Sequence, residues 1–178
     1  SQFSANKSSI IKDQKLQKNE FVLATIHRQE NTDDEKKLRS IFLGLEEIHK
    51  THTVILPMHP RTKAVLNKLS IHPKIQVIEP VGYYDMLELL KNCSIVITDS
   101  GGLQKEAFFN RKQTIVVRDE TEWVELVSHG FAKVVGGNTK MILQTFDTFK
   151  ATNKEFTVDL YGNNVGEKIY QSIYQLIH

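Results

Sequence analysis

The stretch "SIVITDSGGLQKEAFFN", residues 94–110, decides the fold. The run 94–99, rich in Ile and Val, ends at an acid. A serine and two glycines follow, and from 102 the chain reads as a helix. A short run that is apolar at successive rather than alternate positions is a strand covered on both faces. A strand that passes at once into a helix is part of a βαβ unit, and such units build parallel sheets. The glycines let the backbone turn and leave room for another group to approach it closely.

Outward from this unit the same rhythm recurs. Short apolar runs at 21–26, 53–58, 75–78, 114–117 and 132–135 read as further strands. Helical patterns lie between and after them at 33–50, 61–69, 83–93, 122–130, 139–149 and 166–177. In 33–50, Leu38, Ile41, Phe42, Leu45 and Ile48 recur at spacings of three and four, the stripe of a helix that faces a core. This alternation predicts an α/β fold: a Rossmann-like, doubly wound parallel sheet of about six strands with right-handed crossovers. Residues 1–19, rich in Lys, Ser and Gln, read as a linker or leading arm, 20–160 as the domain, and 161–178 as a C-terminal helix. The segment 151–164 reads as a connection, not another βα unit.

Composition narrows the function classes. With 178 residues, 40% hydrophobic and 25% charged, the chain has the makings of one ordinary globular domain. A formal charge of +2 argues against a dedicated nucleic-acid binder. The apolar runs are far too short to cross a bilayer, so no membrane is expected as a partner. Residues 1–15 hold no apolar segment of the secretory type. The single cysteine, Cys93, excludes an internal disulfide and suits a reducing, cytoplasmic setting. It reads as a small core residue, since no basic partner adjoins it. No His/Cys/Asp cluster has zinc spacing and no G-x-S-x-G elbow occurs, so neither metal nor cofactor is expected.

In such a sheet ligands bind past the carboxyl ends of the strands, near the reversal of strand order. The segments there are "HRQEN" (27–31), "MHPR" (58–61), "EPVGYYD" (79–85), "DSGGLQKE" (99–106) and "RDETEW" (118–123). Gly101 and Gly102, followed by a helix start with free N–H groups, suit a phosphate, and Ser100 adds a hydroxyl. Glu106 can accept hydrogen bonds from a ribose diol. The plain alternative is a tight turn with Ser100 as N-cap and Glu106 solvated. His27 can donate to a phosphate or carry a proton near neutral pH, or be a buried structural histidine. Asn31 and Thr32 are N-cap candidates for the next helix. His59 and Arg61 flank Pro60, which suits a helix start. Tyr83 and Tyr84 offer rings to stack on a base, or to pack. Arg118 is a bidentate anion binder by geometry, with a local ion pair to Asp119, Glu120 or Glu122 as its competitor. Trp123 reads as packing.

Taken together these loops resemble the C-terminal half of the non-hydrolysing UDP-N-acetylglucosamine 2-epimerases. The matching residues are "HRQEN" at 27–31, "HPR" at 59–61, "TDSGGLQKEA" at 98–107, "RDETEWVE" at 118–125 and the ending "LYGNNVGEKIYQSI" at 160–173. "SGG" alone does not separate this family from related glycosyltransferases; the ordered combination, over roughly 20–178, does. The resemblance implies a GT-B-like enzyme with a UDP-sugar between two Rossmann-type domains. It implies elimination of UDP, a 2-acetamidoglucal intermediate and readdition to give UDP-N-acetylmannosamine, a surface polysaccharide precursor. It places Ser100, Gly101 and Gly102 at the diphosphate, Glu106 at the ribose, and His27 near the phosphates as the catalytic group. Arg118 and His59 line the same cleft, and the loop with Tyr83 faces the uracil. "TEW", where many members have "TER-PE", points to a branch acting on other or more modified UDP-sugars. The acids that exchange the C2 proton belong to an N-terminal domain outside this chain, so the chain by itself is expected to be inactive. The full-length protein is expected to be a homodimer, and the helix at 161–178 to meet the missing domain through Ile169, Ile173 and Leu176. The competing readings are the donor half of a UDP-sugar glycosyltransferase, a non-catalytic nucleotide-sugar-binding module, and a structural domain with no ligand.

Overall fold

A computed structural model describes residues 8–152, 154–162 and 165–177. Its element order begins α1 (Ile10–Asp13), β1 (Phe21–Thr25), α2 (Gln29–Thr32), α3 (Glu35–His49), β2 (Thr53–Pro57), α4 (Pro60–Lys68), β3 (Gln76–Ile78) and α5 (Tyr83–Asn92). It continues with β4 (Ile95–Thr98), α6 (Gly101–Phe109), β5 (Gln113–Val116), α7 (Val124–Ser128), β6 (Ala132–Val134), α8 (Thr139–Ala151) and α9 (Val165–Ile177). The six strands form one sheet in the order β3-β2-β1-β4-β5-β6, every pair parallel. This is the predicted doubly wound α/β architecture. Strand order reverses between β1 and β4, where Ala24 pairs with Ile97 and Thr25 with Thr98.

Burial on both faces explains the apolar runs of β1, β2, β4 and β5, whereas the edge strands β3 and β6 are only partly buried. Val22 and Ala24 face one core with Val54, Leu56, Ile97 and Ile115, under the α3 stripe and Ile142 and Phe146 of α8. Phe21 and Leu23 face the other, with Ile55, Val96, Leu89, Leu90 and Cys93. Cys93 has no solvent contact and its Sγ lies 3.2 Å from the Leu90 carbonyl; burial pushes its thiol up to about 12. All five predicted stripe residues of α3 are buried.

Two features differ from the sequence reading, and a third adds packing to a segment correctly read as a connection. The leading segment does not stand away from the domain over its described part, because α1 and the turn after it lay Ile10, Ile11 and Leu16 on the second core; residues 1–7 lie outside the described residues. The cap of α3 is Asp34, which accepts from the Lys37 N–H at 3.0 Å, whereas Asn31 and Thr32 belong to the short α2 and are buried. The connection after α8 carries Phe156, Leu160 and Tyr161 into a third apolar cluster with Phe108, Leu126 and Phe131. Phe131 stacks on Phe156 at 4.6 Å and meets Phe108 edge-on at 4.9 Å. In α9, Val165, Ile169, Ile173 and Leu176 share one face and are exposed. Among the described residues no helix is long and apolar enough to cross a membrane.

Phe131→Ala empties the centre of the third cluster. It is expected to cost about 3–5 kcal/mol, and urea unfolding measures it.

Candidate functional site

At the strand-order reversal a cleft of about 410 Å³ opens past the carboxyl ends of β1, β2 and β4. The side chains that give it character are His27, His59, Ser100, Gly102 and Glu106, with Pro80, Val81 and Met86 forming an apolar side. Five of the residues singled out from sequence therefore meet in one place. The two imidazole rings lie 5.4 Å apart, centroid to centroid. Each comes from the first turn after a strand: His27 follows β1, and His59 precedes Pro60 of α4 and accepts from the Arg61 N–H at 3.2 Å. Glu106 is half-buried, one turn into α6.

The site is organised by Asp99, which sequence reading left without a role. It is wholly buried. Its carboxylate accepts from the backbone N–H of His27 (3.1 and 2.9 Å) and of Arg28 (2.9 Å), and from the Asn31 side-chain amide (3.1 Å). The His27 Nδ1 lies 3.2 Å from its Oδ1. Burial acts to push the carboxyl up, but the His27 imidazole and the N–H groups of Arg28 and His27 outweigh it and hold the carboxyl below its ordinary value. Asn31 also donates to the Val117 carbonyl at 2.9 Å. The available signal was an acid directly after a strand read as covered on both faces, which demands donors that local sequence does not supply.

The start of α6 is assembled from distant parts. Ser100 caps it, its hydroxyl accepting from the Leu103 N–H at a long 3.4 Å. The indole N–H of Trp123 donates to the Gly101 carbonyl at 2.7 Å. Thr121 donates to buried Gln104 at 2.6 Å, and Gln104 donates to the Ser100 carbonyl at 3.3 Å. Lys105 lies over the rings of Trp123 and Tyr161, at 4.7 and 4.2 Å. The two glycines serve different ends. A Cβ on Gly101 would lie 2.1 Å from the Glu122 Oε1, so Gly101 makes room for a protein carboxylate. A Cβ on Gly102 would meet nothing within 4 Å, so Gly102 faces open space in the cleft.

Two expected site residues stand apart. Arg118 does not line the cleft; it is buried, with Nε donating to Glu30 at 2.9 Å and Nη1 to Glu122 at 2.6 Å. Burial tends to lower its pKa, but the two carboxylates prevail and raise it. Its competitor reading, an ion pair, describes the geometry, with Glu30 as the partner that local sequence did not suggest. Tyr83 is exposed at the start of α5, its ring edge-on to Tyr84 at 6.0 Å, and the loop reaches the cleft through Pro80 and Val81 instead. Among the described residues no group of three or more His, Cys, Asp or Glu is placed to hold a metal ion.

A parallel sheet of this order, with a glycine-flanked helix start and two imidazoles at its reversal point, defines a Rossmann-like α/β domain of the GT-B kind. The chain belongs to the UDP-N-acetylglucosamine 2-epimerase family, whose model matches residues 1–174. It is 47% identical over 143 residues to the UDP-2,3-diacetamido-2,3-dideoxy-D-glucuronate 2-epimerase of Pseudomonas aeruginosa, covering 80% of this chain and 40% of that protein. It is 35% identical over 173 residues to a UDP-N-acetylglucosamine 2-epimerase homolog of Methanococcus maripaludis, covering 94% and 48%. Among solved structures, the UDP-GlcNAc 2-epimerase of Methanocaldococcus jannaschii in complex with UDP-GlcNAc and UDP superposes with a TM-score of 0.84 at 31% identity, over 98% of this chain and 50% of that one. The chain thus spans about half the length of the relatives it matches, or somewhat less.

Asp99→Asn leaves one of these buried donors without an acceptor and is expected to cost about 1–3 kcal/mol near neutrality. Because the folded-state pKa is depressed, the stabilisation is complete above the ordinary carboxylate range, about pH 4, and is lost as pH falls through the lower folded-state value. Urea unfolding of parent and variant should therefore show a gap at about pH 7 that narrows as pH falls below about 4.

Proposed function

We propose that this chain is the UDP-holding, C-terminal half of a UDP-sugar 2-epimerase of GT-B type. The observation that carries this is the open face of Gly102 beside the free N–H groups of α6, in one cleft with His27, His59 and Glu106. A helix start presents unpaired N–H groups and the positive end of its dipole to an anion. On this reading the diphosphate lies over Ser100, Gly101 and Gly102, and Glu106 accepts from the ribose hydroxyls. His27 donates to the phosphates and supports departure of UDP, and the wall of Pro80, Val81 and Met86 takes the uracil. Gly101 contributes its backbone, and Arg118 contributes by holding Glu30 and Glu122 in place rather than by meeting the ligand. The relative solved with UDP-GlcNAc and UDP supports a UDP-sugar as the ligand class.

Epimerisation at C2 needs a base and an acid on that carbon and exclusion of water, and a single domain supplies one wall of the cleft. The reading therefore assigns C2 chemistry to a second Rossmann-type domain and predicts no C2 exchange by this chain alone. It also assigns the exposed face of α9 to that domain, a homodimer to the full-length protein, and the product to surface polysaccharide precursors made in the cytoplasm. A second reading concerns the sugar. The higher identity to the diacetamido-glucuronate enzyme, 47% against 35%, and Trp123 in "TEW" favour a more modified UDP-sugar than UDP-N-acetylglucosamine.

Calorimetric titration with UDP tests the reading: saturable binding is expected, and no heat or thermal shift at millimolar UDP overturns it. Gly102→Ala separates ligand from fold. The added methyl meets no protein atom and improves helix propensity, so the melting temperature should hold or rise while UDP affinity falls at least about tenfold.

A further inference from the structure

Asp99 does more than close the end of β4. We propose that it is a positioning residue for His27, fixing the neutral imidazole as the Nδ1–H tautomer so that Nε2 presents its lone pair to the cleft. The argument begins with what a buried carboxylate can do. Ionised, it has acceptors and no donor. Its Oδ1 lies 3.2 Å from the His27 Nδ1, so that nitrogen is the one that carries hydrogen. Nor can the carboxylate turn away. Oδ2 is held by the N–H groups of His27 and Arg28 and by the Asn31 amide, all within 3.1 Å. The Asn31 amide is held in turn, because the same nitrogen faces two acceptors, Asp99 and the Val117 carbonyl; a flip would set oxygen against oxygen at both. Backbone, amide and imidazole N–H groups thus converge on one fixed carboxylate, and the network ends at a partly exposed ring.

His59 is set the other way. Its Nδ1 accepts from the Arg61 N–H, so when neutral its hydrogen is on Nε2. The two rings are 5.4 Å apart on one cleft. One offers a lone pair and the other an N–H, which neither ring's sequence context announces. The functional consequence rests on the UDP reading above. A proton taken up at the His27 Nε2 gives an imidazolium whose outer N–H faces the diphosphate, and Asp99 balances its charge from behind. Replacing the carboxylate by an amide reverses this. In Asp99→Asn the oxygen is retained by Arg28 and Asn31, the NH₂ faces the His27 Nδ1, and that nitrogen must accept; the hydrogen moves to Nε2. The same logic governs Asp-to-Asn changes behind a catalytic histidine elsewhere.

The test is a nitrogen NMR measurement on the ¹⁵N-histidine-labelled chain at a pH where His27 is neutral. His27→Gln assigns its signals. The parent should show a pyrrole-type Nδ1 and a pyridine-type Nε2 for His27; the reverse pattern in the parent overturns the proposal without recourse to any variant. Asp99→Asn should exchange the two signatures, and an unchanged pattern in a folded variant also overturns it. UDP titrations add a second readout. Asp99→Asn and His27→Gln should each weaken UDP about tenfold, and the double variant no further than the weaker single one. Full additivity would mean that Asp99 acts other than through His27 and counts against the proposal. Exchanged tautomers together with no UDP binding in any form, parent included, uphold the positioning and remove the UDP reading instead.

Discussion

A carboxylate without solvent sits where the sheet changes direction, and the site is built on satisfying it. Asp99 ends a strand whose every other residue is buried, and an ion placed there is tolerated only if fixed donors replace its hydration. Those donors come from the turn after β1, some seventy residues earlier in the chain. The requirement therefore locks the turn after β1 against the turn after β4, the two turns flanking the reversal point. His27 and the start of α6 hold their mutual position because moving either would strand a buried charge. Net electrostatic stabilisation need not be large for this; the cost of breaking the arrangement does the positioning.

A second layer extends the same logic outward. Arg118 pairs with Glu30 from α2 and Glu122 from its own turn, and Glu122 in turn lies 3.9 Å from Arg28 and fills the space a Cβ on Gly101 would need. The Trp123 indole then holds the Gly101 carbonyl. The turn after β5 thus acts on the first residue of α6 from two sides, by a carboxylate and by a hydrogen bond. It keeps protein atoms beside Gly101 and away from Gly102. A protein that filled both glycine faces would have a capped helix and no room at its end.

How much of this was legible in sequence follows from the range of each interaction. The strands were legible because burial on both faces writes itself into consecutive residues, and the α3 stripe because Leu38, Ile41, Phe42, Leu45 and Ile48 are local. Clustering of polar residues past the strand tips was legible too, and His27, His59, Ser100, Gly102 and Glu106 do converge. What was not legible depended on partners far along the chain. Arg118 looked like an anion binder because its strongest carboxylate, after its own turn's, is Glu30, 88 positions away. Asn31 looked like a helix cap because nothing nearby reveals that its amide is taken by Asp99 and Val117. The four-residue α2 is too short for periodicity to register, and Phe156 and Tyr161 are isolated aromatics in a polar segment.

The cleft as it stands is one-sided, and this bears on how its parts divide the work. Its donors face a space open to solvent, where two unit charges 4 Å apart attract by only about 1 kcal/mol, against about 4 kcal/mol at an effective dielectric of 20. A helix start and an imidazole in such a setting attract an anion only modestly while water surrounds it. The same groups gain force when a second surface removes that water, because their orientation is already set and no reorganisation is needed. Rigid placement by Asp99 and by the Arg118 network is what makes that gain available. A flexible His27 would lose to ordering what desolvation returned. A pre-arranged wall of this kind therefore gains most from any surface that closes over it, because its orientation is set before the water leaves.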